Sequence, residues 1–172
     1  MINPIKENIW QFCFKEFGSC VYLIKIGHKN IIIDTSSADN KKEFIEDLNK
    51  LNLKPEDISM LILTHNHHDH IENIKLFKNA IIYGNKKDFP AKEIESIENL
   101  NGPKFKIIQS PGHTQGSICI YMPKEKVLFS GDTLFENGIG RTDFPESSEK
   151  DMKLSLKALE KIDYNILCPG HI

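Results

Sequence analysis

The chain has 172 residues, 40% of them apolar and 27% charged, and its 22 basic and 24 acidic side chains leave a formal net charge of −2. At this length folding buries roughly 70% of the unfolded chain's surface, so a single domain spanning the whole chain can build a core without disulfides or a structural metal. The balanced charge removes the footprint of a nucleic-acid binder, no apolar run approaches the roughly 18 residues of a membrane helix, and MINPIKENIW lacks a signal peptide's apolar stretch; a cytoplasmic protein with neither nucleic-acid nor membrane partners is predicted.

The first third reads as strands. IWQFCFKEF, CVYLIKI and NIIIDT are β-branched and aromatic runs parted by Gly18 and by a turn at 27–30, the pattern of an antiparallel meander. From Asp39 to the break at Pro55, Phe44, Ile45, Leu48 and Leu51 recur at helical spacing among Lys and Glu and predict an amphipathic helix. A buried strand (SMLILT), a short helix opening near Asp69 (DHIENIKLF) and a strand (AIIYG) follow. Residues 84–104, with Pro90, Gly102 and Pro103, read as loop or weak helix. Strands at FKIIQ, SICIYM and KVLFSG come next, then a helix from about Ser148 with Met152, Leu156, Leu159 and Ile162 on one face, and a last strand NILCP. Strands dominate each half and no strict βαβ alternation appears, so two sheets packed together with helices outside are expected. Trp10, Phe12, Phe14 and Phe17 read as strand core. Cys13, Cys20, Cys119 and Cys168 form no CxxC pair and sit among apolar neighbours, as reduced core thiols do.

Histidines cluster at strand ends, in THNHHDH (64–70) and in PGH at 111–113 and 169–171. Loops on a rigid scaffold commonly carry catalytic residues. Side chains two apart in an extended segment point the same way, so His65 and His67 can converge on one cation, while Asp69 and His70 open the next helix and face a neighbouring position. At this chain's own His and Asp frequencies, HxHxDH arises by chance with a probability on the order of one in a thousand. A solvated His-rich loop is the bland alternative, but clustered imidazoles with no partner repel one another once protonated. His28 and His68 read as surface residues.

These motifs resemble the metallo-β-lactamase superfamily and, within it, single-domain relatives of glyoxalase II, the hydroxyacylglutathione hydrolases. IIIDTS, THNHHDH, SPGHTQGS, FSGDTLF, GIGRTDFP and CPGH appear in that family's order between Gly18 and Ile172. The resemblance implies an α+β fold, a four-layer αββα sandwich with a metal cleft at one sheet edge. It implies two divalent metal ions, zinc first with iron or manganese as alternatives. His65, His67 and His113 would hold one ion, Asp69, His70 and His171 the other, and Asp132 would bridge them; Asp34 matches an acidic position behind the ligands.

Two ions about 3.5–4 Å apart bring the pKa of a shared water from 15.7 to near 7. The implied reaction is hydrolysis of a small-molecule hydroxyacyl thioester by a metal-bound hydroxide, with Asp69 and Asp132 as the catalytic carboxylates. A thiolate leaving group, with a conjugate-acid pKa of roughly 8.5, needs no strong general acid. Arg141, the sole arginine, is the candidate substrate contact in GIGRTDFP; its alternative role is to tie the loop down through Asp143. Other readings are a mononuclear iron persulfide dioxygenase, whose relatives share GRTDF, phosphodiester or RNA cleavage, and a metal-binding module without turnover. The chain departs from the pattern at Glu72, where relatives carry Gly, and at Asn73 beside it. His171 is followed only by Ile172, which puts a ligand where chain ends fray, and leaves no room for the helical glutathione-binding domain of two-domain glyoxalase II. Oligomeric state is left open.

Overall fold

The structure, a computed structural model, describes residues 1–100 and 104–172; Gly102 and Pro103, in the stretch read as loop, lie outside them. The chain divides into two compact units, one of Met1–Leu63, His67–Tyr83 and Glu93–Glu95, the other of Thr64–Asn66, Gly84–Lys92 and Ser96–Ile172.

The first unit carries the larger sheet, in the order β1 (Ile2–Lys6), β2 (Ile9–Phe12), β3 (Val21–Ile26), β4 (Lys29–Ile33), β5 (Met60–Ile62), β6 (Ile81–Gly84) and β7 (Glu95–Ser96). The expected meander is present: Gln11 lies opposite Tyr22 and Ile24 opposite Ile31 in antiparallel ladders. β1 escapes the sequence reading because INPIK is polar and holds Pro4. Proline is tolerated on an edge strand, whose outer side needs no donor, and the β1–β2 register is irregular between Pro4 and Lys6. The run IWQFCFKEF is strand only as far as Phe12.

Beyond β4 the sheet changes from antiparallel to parallel pairing. β4, β5 and β6 are mutually parallel, so the chain does contain βαβ crossovers, the first through α1 (Lys41–Lys50). The second passes through α2, a single turn at His68–Ile71 rather than a helix through Phe77. Asn73 stops it: its backbone leaves the helical region (φ −97°, ψ 12°) and begins a 3₁₀ turn over Ile74–Leu76. Helical spacing turns Phe44 and Leu48 of α1 inward, where both are fully buried with Phe12, Leu23, Ile32, Leu61 and Phe77. Trp10 and Phe14 pack against this cluster as expected, whereas Phe17 is 75% exposed.

The second unit holds β8 (Lys106–Gln109), β9 (Ile118–Met122) and β10 (Val127–Gly131), a hairpin of β11 (Leu134–Phe135) and β12 (Gly138–Ile139), α3 (Glu149–Leu159) and β13 (Ile166–Pro169). Its sheet runs β13-β10-β9-β8, with β13 parallel to β10 after the crossover through α3. The β11–β12 hairpin was not expected, since two-residue strands show no alternation. α3 starts where the sequence puts it, with Ser148 Oγ accepting the Asp151 N–H at 3.2 Å. Met152 and Leu159 are buried from α3, the latter with Cys119, Tyr121 and Leu128.

No helix among the described residues is long and apolar enough to cross a membrane. All four cysteines are free thiols, three of them buried and Cys13 half-buried.

Phe44 meets the rings of Phe12, Phe14 and Phe77 at centroid distances of 5.5–5.6 Å. Phe44→Ala removes the centre of that cluster and should cost about 3–5 kcal/mol, read as a lower urea midpoint at an unchanged slope.

Candidate metal-binding site

THNHHDH is shared between the units: His65 belongs to the second, His67, Asp69 and His70 to the first. In the first unit, β4 ends at Ile33 and the chain turns sharply, with Asp34 at φ +57° and Ser36 at φ +59°. Such backbone is uncommon for residues with a side chain and is held here by its bonds. The Asp34 N–H donates to the Ile62 carbonyl at 3.0 Å, and Thr35 donates to the His70 carbonyl from both its N–H and its hydroxyl. The turn aims the buried Asp34 carboxylate at His70, whose Nδ1 lies 2.8 Å from Oδ2. Asp69 is 8% exposed, and its carbonyl accepts the Ser19 N–H at 3.0 Å; His67 is half-buried.

The second unit brings His65, His113, Asp132 and His171 together. His65 and His113 stand edge to face with ring centroids 4.9 Å apart. His113 Nε2 and His171 Nε2 each lie 3.5 Å from the same oxygen, Asp132 Oδ2. His113 Nδ1 lies 2.8 Å from the Arg141 carbonyl, and Thr64 Oγ1 sits 3.0 Å from His65 Nδ1. Two glycines permit these placements. Gly112, at φ +148°, lets His113 follow where a Cβ would come within 2.6 Å of the Met152 backbone, and a side chain at Gly140 would strike the Asp132 carbonyl.

The Arg141 guanidinium is exposed, forked onto Asp143 by bonds of 2.9 and 2.8 Å and lying over the Phe144 ring at 4.3 Å. Asp143 pushes the guanidinium pKa up, and the guanidinium holds the Asp143 carboxyl below its ordinary range. A cavity of about 470 Å³ opens beside His171, lined among others by Phe135, Ile139 and Pro169.

The family model for the metallo-β-lactamase superfamily matches residues 15–87 and 81–171. This chain belongs to the metallo-β-lactamase superfamily. A probable metallo-hydrolase of Methanocaldococcus jannaschii is 39% identical over 133 residues, covering 77% of this chain and 64% of that one. A hydroxyacylglutathione hydrolase of Wigglesworthia glossinidia brevipalpis is 36% identical over 162 residues, covering 88% and 60%. The chain thus spans less than two thirds of the length of either relative. A protein whose crystal structure is of a di-iron-bound form has the same fold, with a TM-score of 0.78 at 24% identity over 90% of this chain and 87% of that chain. The mixed α/β fold is therefore that of the superfamily.

The donors fit the divalent ions that the superfamily binds. A carbonyl can only accept, so His113 Nδ1 carries a proton, and a neutral ring then turns the Nε2 lone pair toward the Asp132 carboxylate. With the ring neutral, that nitrogen and the carboxylate are both able to serve as donors to one cation. Donors sharing one tetrahedral ion at bonds of about 2.1 Å lie about 3.4 Å apart, which matches the 3.5 Å seen on both sides of Asp132.

Sequence reasoning missed Asp88, in the stretch read as loop. Its carboxylate accepts from the Asn66 N–H (3.3 Å), the Thr114 hydroxyl (2.6 Å) and the Gly116 N–H (2.7 Å), so it ties the loop bearing His65 to the loop bearing His113. No local motif marks it. Glu72 and Asn73, the two departures from the pattern, have work of their own: Glu72 accepts the Ala38 N–H at 2.7 Å, and Asn73 donates to the carbonyls of Thr35 (2.9 Å) and Ser37 (2.7 Å). Both brace the turn that presents Asp34. His28 and His68 are exposed, as expected.

Asp34→Ala leaves His70 without its acceptor and should weaken metal binding by about 10- to 100-fold, measured by competition with a chromogenic chelator.

Proposed function

We propose that the protein is a binuclear metal-dependent hydrolase of small hydroxyacyl thioesters. His65, His67 and His113 hold one divalent ion, Asp69, His70 and His171 the other, Asp132 serves both, and Asp34 orients His70. The observation that carries this reading is the single carboxylate oxygen of Asp132 at equal distance from two imidazoles, a position from which it would serve both ions. His65 and His67 lie two residues apart on one strand-to-helix connection, which suits a shared ion. Imidazole and carboxylate donors suit zinc, iron and manganese.

When bound, such ions supply hydroxide at neutral pH and polarise an acyl carbonyl. The chain's own groups do the rest. Asp69 and Asp132 are the proposed catalytic carboxylates; beside such ions they would orient a nucleophilic water and accept its proton. The cavity beside His171, with Phe135, Ile139 and Pro169 in its wall, suits an acyl or thiol chain. Arg141 receives a carboxylate of the substrate by exchanging it for Asp143, an exchange that an exposed ion pair permits. Departure as thiolate requires no further acid, and the hydroxyacylglutathione hydrolase among the relatives supports this substrate class.

Elemental analysis of protein purified without added metal should find about two Zn, Fe or Mn per chain, and thiol release from lactoylglutathione should vanish with a chelator and return with the metal. Full activity of the stripped protein would sink the reading. One iron per chain with oxygen uptake on a persulfide would replace the hydrolase by a dioxygenase. Arg141→Ala should raise KM about tenfold or more with kcat unchanged, since the contact is made equally in ground and transition states.

A further inference from the structure

Cys13 and Cys20 take no part in the site described. In the β2–β3 ladder Phe12 lies opposite Val21, and the two cysteines occupy the next position on either side. Their sulfurs are 3.9 Å apart. Each also receives a side-chain amide, Asn3 Nδ2 at 3.6 Å from Cys13 Sγ and Gln11 Nε2 at 3.5 Å from Cys20 Sγ. Such donors favour the thiolate that a thiol must become before it reacts. Cys13 is half-buried, so a small reagent can reach it, while Cys20 is 4% exposed behind it.

We propose that Cys13 and Cys20 form a redox-active dithiol that exchanges with low-molecular-weight disulfides and closes a disulfide across the end of β2 and β3. The Cys13 thiolate attacks one sulfur of the small disulfide, forming a mixed disulfide and releasing one thiolate. Cys20 then gives up its proton and attacks Cys13 Sγ, releasing the second thiol. The protein loses two hydrogens, the small disulfide is reduced to two thiols, and no other oxidant is needed. The sulfurs must approach by about 2 Å to reach bonding distance, a movement within reach of side-chain rotation.

The environments divide the labour the same way. The hydrogen bond from Cys20 lowers the Cys13 thiol to about 7 against the opposing effect of burial, while that same contact and burial push Cys20 up. Burial raises Cys119 to about 11 and Cys168 to about 12, which makes them internal controls. The bond would close a loop whose Ser19 N–H donates to the Asp69 carbonyl and whose Phe17 carbonyl accepts from Ser37 Oγ and Asn40 Nδ2, so its formation tightens a segment that touches a candidate metal ligand.

The test uses the full chain, reduced and freed of reductant, exposed to oxidised glutathione, then denatured, alkylated with iodoacetamide and mapped as tryptic peptides. Cleavage after Lys15 separates the two cysteines, so the expected product is a cross-linked pair of peptides two hydrogens lighter than their sum, with Cys119 and Cys168 alkylated. Cys20→Ser should stop at a mixed disulfide on Cys13, and Cys13→Ser should react at least about tenfold more slowly than the parent. Recovery of Cys13 and Cys20 both alkylated after exposure would overturn the proposal, as would a parent protein that halts at the mixed disulfide. The mapping of the parent stands whether or not either variant folds.

Discussion

An imidazole presents one lone pair in a fixed direction only when its other nitrogen holds a proton and has an acceptor for it. Asp34 supplies that acceptor to His70 and the Arg141 carbonyl supplies it to His113. Much of the local structure serves these two contacts. A carboxylate 2% exposed would cost several kcal/mol to bury alone, and the contact with His70 offsets part of that cost. The left-handed backbone at Asp34 is unfavourable in isolation and is kept by the Ile62 carbonyl on one side and the Asn73 clamp on the other.

The candidate metal ligands stand out in the sequence because their chemistry is local. HxHxDH places four donors within six residues, and the PGH motifs give each remaining histidine a glycine that the structure uses, at Gly112, for close approach to α3. The strands of the meander and the start of α3 are legible for the same reason, being set by alternation or by a cap. What escapes is non-local. Asp88 acts on residues more than twenty positions away on both sides, and nothing in KKDFP announces it. The Cys13–Cys20 contact depends on the register of β2 against β3, which neighbouring residues do not encode; each cysteine alone looks like core. β1 is hidden by Pro4 and by its edge position, where burial imposes little alternation.

Glu72 and Asn73 show how a departure from a pattern becomes structure. A glycine at position 72 would leave the Ala38 N–H to find another acceptor at the start of the 3₁₀ turn before α1. Glu72 provides it, and Asn73 fixes the carbonyls just upstream, so residues 35–38 are gripped from one short segment. That segment also carries Asp69 and His70. The one-turn length of α2 follows: a residue whose amide is committed to distant carbonyls does not continue the helix, and the chain is released into its 3₁₀ turn.

Arg141 contributes two separate groups to its surroundings. Its carbonyl sets the orientation of His113 while its guanidinium waits on Asp143 and Phe144. An exposed fork of this kind stabilises the fold little, but it restrains a flexible side chain, which in the proposed role would lower the entropy cost of receiving a substrate carboxylate. Lysine would keep the charge yet lose both the planar fork and the stacking on Phe144. Gly140, which precedes Arg141, lies so close to the Asp132 carbonyl that no side chain fits there. In the proposed reading, the group that would meet the substrate and the carbonyl that orients His113 therefore belong to one residue.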